Sequence, residues 1–470
     1  MKKFGFIYIV IILFGSYCPL FANSTDTIRR DSCVVLTDII IGGNKITKES
    51  IIKRELLFAK NDTVNWQVLE SLMARSRENL LNTSLFNYVT ISKIDVSEFE
   101  KQVLIMVEER WYWWPYIIFE QADRNLSAFF KDKDWSRINY GLMLIKNNFR
   151  GRAETLKIKF RLGYKQQFQI YYDIPYLFDN KRHGIGVQYS WYRQKEIAYA
   201  TDSCKPQYFK SNNSVIKNQD LYLFYTYRPH HDVRHIISTC YARARVADTV
   251  IALNPSFFSS QASLAQYFSL SYTFDWDCRN SKTYPLKGHN LTCEVGKIGL
   301  GIIDNEYDGA WYTKFNSYKY FEISNRWYAG VGGAAKYSPS KKQPYYTEQA
   351  LGYQDYLRGF EYFVIDGQRF VTSRAFAKFA IVPTQVSTID NWSWEKFNKV
   401  HYSLYANIFV DAGYVDDINT EWNNYLANKT LVSAGVGLDL VTYYDLVFRL
   451  EATMTKQGKS GLYIHVKKAF

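Results

Sequence analysis

From Trp111 onward, polar and apolar residues alternate in segments of about ten residues separated by turn signals, the period-two rhythm of strands with one face in lipid. In Ala153–Gly163, Leu156, Ile158, Phe160 and Leu162 face one way and Thr155, Lys157, Lys159 and Arg161 the other. In Tyr444–Met454, Leu446, Phe448, Leu450, Ala452 and Met454 oppose Arg449, Glu451 and Thr453. In His401–Gly413 the face of Tyr402, Leu404, Ala406, Ile408, Val410 and Ala412 is wholly apolar. Such a face belongs against lipid, which turns Ser403, Asn407, Phe409 and Asp411 inward. Sixteen segments of this kind run from Trp113–Gln121 to Gly461–Phe470. The pattern predicts a mostly β fold: a 16-stranded transmembrane β-barrel over residues 111–470, closed and without an exposed edge. A soluble β-sandwich alternates too, but the strand number, strand length and terminal Phe470 favour the barrel.

The residues before it have another rhythm. Between Cys33 and Arg110 the order is β-α-α-β-β, enough for one small α/β domain over 33–110. "VVLTDIIIGGN" is a strand ending on a turn, and Thr47 is a candidate helix cap. Trp66, Leu69, Met73 and Leu80 share one stripe of a second helix. Tyr88–Val96 and Gln102–Glu109 complete the sheet. At the N-terminus, Lys2 and Lys3 precede the apolar run Phe4–Phe14, which predicts a signal peptide over 1–22 cleaved before Asn23. That run is well short of the ~20 residues a membrane-spanning helix needs.

Composition agrees. A mean hydropathy of −0.28 would suit a water-soluble protein. Yet 17% of residues are aromatic, with 39 Tyr, 31 Phe and 12 Trp, as alternating membrane strands require. The net charge of +13 is dispersed among apolar residues, as in "LKIKFRLGY", rather than gathered into runs. This argues against nucleic acid and for a cationic lumen or a lipopolysaccharide-facing rim. Of the six cysteines, the five beyond the expected signal peptide (33, 204, 240, 278 and 293) are odd in number and scattered; only Cys278 and Cys293 flank a common turn. His230, His231 and His235 fall in a turn between strands and read as loop histidines, and "QGKSG" is a hairpin turn flanked by strands. No nucleophile–base pattern occurs. The expectation is a protein with no catalytic site, no cofactor and no metal.

The alternation breaks once at length, between the strand ending near Tyr337 and the strand starting near Gln368. The loop at about 338–367 carries Phe360, Tyr362, Phe363, Val364 and Ile365, too apolar to stay disordered in water. It therefore belongs inside the barrel. Arg358 on this loop and the inward Asp411 form a candidate bidentate latch. Gly359 allows a tight tip, and Phe360 is expected to wedge near Phe409.

Here the sequence resembles the BamA/TamA outer-membrane assembly superfamily, the bacterial surface antigens. Leu357-Arg358-Gly359-Phe360 is similar to the lid-loop motif of that family. Phe409, Asp411 and Gly413 resemble its wall motif, and "NNFRGRAETLKIKFRLGY" resembles one of its turns. "GGNKIT" and "LLNTSLFNYVTI" resemble pieces of a single POTRA domain. The family often adds a glutamate on the strand after the loop; "RFVTSRAFAKFAIV" has no acid, so a second partner for Arg358 stays open. The resemblance implies an outer-membrane protein of a Gram-negative-type bacterium with its POTRA domain in the periplasm. It implies a factor that inserts or exports client proteins through a lateral seam. The implied partners are unfolded outer-membrane or secreted clients, outer-membrane lipids and lipopolysaccharide, and periplasmic chaperones or lipoproteins. Pro115 weakens the first strand as a donor, and Ile117 and Val466 are expected to adjoin across the seam. The rival readings are a passive pore and a two-partner-secretion-type transporter.

Overall fold

The computed structural model describes residues 33–121, 138–258, 262–303, 309–340, 343–388, 399–418 and 423–467. The expected signal peptide and Phe470 lie outside these residues. The first unit is a four-stranded sheet with helices Glu49–Arg54 and Trp66–Asn82. Its strand order is Thr63–Asn65, Cys33–Gly42, Glu100–Glu109, Phe86–Asp95, with the middle pair parallel. The three-residue strand Thr63–Asn65 adds to the expected order, and Asn65 then caps the second helix by accepting from the Gln67 amide. Leu36, Ile51, Ile52, Leu69, Leu80 and Ile105 fill the core.

Two details of the expected pattern are corrected. Thr47 caps nothing: the residue before the first helix is Lys48, which makes no side-chain cap. The Thr47 hydroxyl is instead shared with Tyr112 and Asn148. Trp66 sits at the first position of its helix and is 49% exposed, off the buried stripe.

The second unit is a sixteen-stranded antiparallel sheet that curls into a barrel. Its alternation is visible in the Lys399–Asp416 strand, where Ser403, Tyr405, Asn407, Phe409 and Asp411 are buried and Tyr402, Ile408 and Val410 are exposed. A separate hairpin, Glu196–Asp202 with Lys205–Lys210, stands outside this sheet.

Closure of the sheet, expected from the strand count, is not seen among the described residues. Among the described residues no ladder joins its end strands, Trp113–Gln121 and Ser460–Lys467, so Ile117 and Val466 do not adjoin in register. Ile117 is 87% and Phe119 74% exposed, against 59% for Ile408 on an interior strand. Pro115 pairs opposite Leu144 on one side and has no N–H to donate to a strand on the other, which weakens any ladder at this edge. The five described cysteines are free thiols. Cys278 donates to Asp232 at 3.1 Å rather than pairing with Cys293.

The first unit is fastened to the turns at the barrel's near end. Arg228 donates to both oxygens of Glu55, at 2.7 and 2.9 Å, and the Tyr176 hydroxyl donates to the same carboxylate at 2.8 Å. Burial pushes the Glu55 carboxyl up, but the Arg228 guanidinium, with Arg54 and the Tyr176 hydroxyl, together hold it below the ordinary value. Beside this clasp the Lys48 amide donates to the Gly151 carbonyl. A Cβ on Gly151 would lie 2.1 Å from the Ile46 oxygen, and its φ is +70°, so only glycine fits this turn.

Candidate functional site: a lid loop latched in the barrel

The loop between the strands Trp327–Tyr337 and Arg369–Thr388 folds inward. Leu351 and Ile365 exchange backbone hydrogen bonds, and the Val364 amide donates to the Cys204 carbonyl of the separate hairpin. Leu357, Phe360 and Ile365 share a buried cluster with Leu351, Phe370, Val415 and Leu431, so loop and wall form one core. Burying several such side chains contributes about 1.5–3 kcal/mol each. That is enough to keep an otherwise irregular loop in place.

At its tip, Arg358 Nε donates to Asp411 Oδ2 at 2.8 Å and Nη2 to Oδ1 at 2.5 Å. Both side chains are buried. The guanidinium carbon lies 3.7 Å from the centre of the Phe409 ring. The loop arginine is therefore held in the plane of the carboxylate and against an aromatic face, the two contacts a guanidinium makes best. Phe360 is displaced from its expected place. The ring beside Phe409 is not Phe360, which packs with Phe363 and the loop core; the cation has taken that face.

The glycines have steric roles. Gly359 turns at φ +83°, and a Cβ there would meet Thr455, Ser433 and Thr453 at 3.0–3.2 Å. A Cβ on Gly413 would meet Leu357 at 3.3 Å, so the wall glycine makes the seat for the leucine. Gly435, opposite Phe409 across the ladder, leaves room for its ring. Sequence reading missed it.

It also missed the second acid. Glu451 accepts from Arg358 Nη1 at 3.4 Å and comes from the Leu446–Thr455 strand, three strands beyond the Arg369–Thr388 strand that follows the loop. Its inward position in the alternation with Arg449 and Thr453 was the available signal. The strand after the loop, Arg369–Thr388, supplies a cation instead: Arg374 lies 3.6 Å from Asp411 and donates to the Tyr356 carbonyl of the loop. Deeper in, Asp439 accepts from Arg449, Tyr284 and Asn407 and lies 3.7 Å from Lys378. The lumen thus holds a continuous alternation of acids and bases around the latch. Pro115, Ile117 and Val466 stand apart from it, on the two end strands.

A barrel of membrane strands carrying a small α/β domain and an inward loop fastened by a buried ion pair defines an outer-membrane assembly or transport class. A model of the Omp85 superfamily domain matches residues 148–457, more than half of the chain, and the chain belongs to that superfamily. A POTRA model, described as a surface antigen variable number repeat, matches residues 34–110. Among solved structures, BamA from Haemophilus ducreyi lacking POTRA domains 1–3 aligns with a TM-score of 0.52 at 14% identity, over 92% of this chain and 84% of that one. CdiB from Escherichia coli aligns with a TM-score of 0.53 at 13% identity, over 92% and 75%. At these identities the likeness is one of fold. No curated protein matches the sequence. Membership indicates an outer-membrane β-barrel with a periplasmic POTRA domain, in a family of insertion and transport factors rather than enzymes.

Proposed function

We propose that the chain assembles or translocates client proteins, inserting or exporting them through a barrel with a lateral seam. The observation that carries this is the loop itself: Leu357 to Ile365 is packed into the wall and locked by Arg358, so the lumen is occupied. A passive pore gains nothing from an interior filled this way. Parting of the end strands Trp113–Gln121 and Ser460–Lys467 would supply what an insertion factor needs, a row of backbone groups on which a client strand can pair. The POTRA domain would receive the unfolded client, and outer-membrane lipid surrounds the exposed apolar faces.

The test is a set of cysteine pairs across the two end strands, around Ile117 and Val466, on a background without native cysteines. A disulfide between them should abolish outer-membrane assembly of clients, and reduction should restore it. Full activity with the cross-link quantitatively formed overturns lateral opening in favour of a lumen-threading transporter. Which outer-membrane or secreted proteins disappear on depletion identifies the clients.

A further inference from the structure

We propose that Glu361, Glu451 and His465 form a divalent-cation site, of the kind zinc occupies, that ties the lid loop to the last hairpin of the barrel. Glu361 is on the lid, one residue past Phe360; Glu451 and His465 are on the final two strands. Their ligand atoms all lie within 4.8 Å of one another. His465 Nε2 is 3.2 Å from Glu361 Oε1 and 3.7 Å from Glu451 Oε2. Tetrahedral zinc with ligands at about 2.0–2.1 Å sets its ligand atoms about 3.4 Å apart, between those two separations. Rotation of one carboxylate closes the third.

A second observation points to a ligand. Glu451 Oε2 is buried and accepts no hydrogen bond, while its sister Oε1 faces Arg358 and Arg449. A buried carboxylate oxygen without a donor is costly, and a cation between it and the imidazole removes that cost. Tyr356 stacks on the His465 ring with centroids 5.9 Å apart, which fixes the ring plane. Two carboxylates and one imidazole suit zinc, and three protein ligands leave a fourth position for water. Arg358 and Arg449 oppose a dication from the Oε1 side and make the site weaker than a purely acidic one. With the ion bound, Glu361 is fixed to His465 beside the bond from the Tyr463 hydroxyl to the Gly359 carbonyl, so the lid cannot leave the last strand until the ion does. No motif spacing announces the site, because Glu361 and His465 are 104 residues apart.

The experiment titrates the purified full-length protein in detergent micelles with Zn2+ by calorimetry, beside Glu361→Gln and His465→Asn. Heat-modifiable gel mobility checks that each variant is folded. One saturable site in the parent protein, weakened about tenfold or more in both variants, is the expected result. Co2+ added to the parent protein should give a tetrahedral visible spectrum without a thiolate charge-transfer band, a reading that needs no variant. Absence of saturable Zn2+ binding, affinity unchanged by both substitutions, or a thiolate band would each overturn the proposal.

Discussion

Two of the buried arginine–carboxylate pairs, one at the POTRA–barrel contact and one at the lid, are built differently. At the POTRA–barrel clasp, Arg228 spends its donors on Glu55, the Tyr176 hydroxyl and the His231 carbonyl, and one acid faces one base. At the lid latch, Arg358 meets two acids, Asp411 and Glu451, and each of these has a further arginine near it: Arg374 at 3.6 Å and Arg449 at 3.8 Å. The clasp is one saturated ion pair, with Arg54 as a further charge nearby but, among the described residues, no second acid in contact. The latch is one link in a network whose members have alternatives. A single buried pair cannot lose a partner without stranding a charge, whereas a network can re-pair. The clasp is therefore suited to permanence and the latch to release.

The sharpest way to break this contrast is to remove one partner from each. Arg228→Met leaves Glu55 buried and unpaired, and breaking such a pair costs about 3–5 kcal/mol. Hydrogen exchange over residues 49–58 should rise sharply, and adding Glu55→Gln should recover part of the protection. Because the Glu55 pKa is depressed in the folded state, its contribution is present above the unfolded value of 4.5 and is lost as pH falls below it. Protection at the clasp, taken relative to the intrinsic amide rate at each pH, should thus be flat near neutrality and fall only in acid. Protection that falls on the alkaline side would show that another group controls the contact.

Arg358→Ala and Asp411→Asn should impair client assembly to a similar extent, with the double variant little worse than either, a coupling of about 0.5–3 kcal/mol. Fully additive losses would show that the two residues act separately. Arg358→Lys should not restore full function, since an ammonium lacks the planar fork that spans both Asp411 oxygens. The damage to folding should stay below that of Arg228→Met, because Arg374 remains beside Asp411.

Gly359→Ala tests the latch without touching a charge. The φ of +83° disfavours any side chain, at about 1–2 kcal/mol, and the wall atoms at 3.0–3.2 Å leave no slack. The unheated, folded gel band should convert at a lower temperature than in the parent protein. An unchanged conversion temperature would mean that the tip is not pressed against the wall.

What the sequence disclosed follows from where each signal is local. Alternation is read residue by residue, so the sixteen strands and the inward side of Asp411 were legible. The hairpin at Glu196–Lys210 was not: it turns on Ser203 and Cys204, both at positive φ, with none of the Asn-Gly or Asp-Gly signals that mark such turns. Thr47 looked like a cap because caps are local; its true partners, Tyr112 and Asn148, come from the barrel end. Glu451 is 93 residues from Arg358, and only the curling of the sheet around the inward loop brings them together. That no ladder joins the end strands among the described residues is also invisible to a count of strands, since an even number permits closure without enforcing it.

The smallest expected effect bounds the comparison from below. Lys399 Nζ lies 2.7 Å from Glu108 Oε1, another ion pair between POTRA domain and barrel, and shorter in distance than most contacts of the latch. Its side chains are 44% and 53% exposed, so water and salt screen the attraction and each side chain gives up rotamer freedom to keep it. Lys399→Ala should therefore change exchange over residues 49–58 by no more than a few tenths of a kcal/mol. Raising the salt concentration should erase even that difference while leaving the Glu55–Arg228 clasp intact. A loss approaching that of Arg228→Met would mean that the interface depends on the number of its ion pairs rather than on the burial of one, and the contrast between clasp and latch would have to be redrawn.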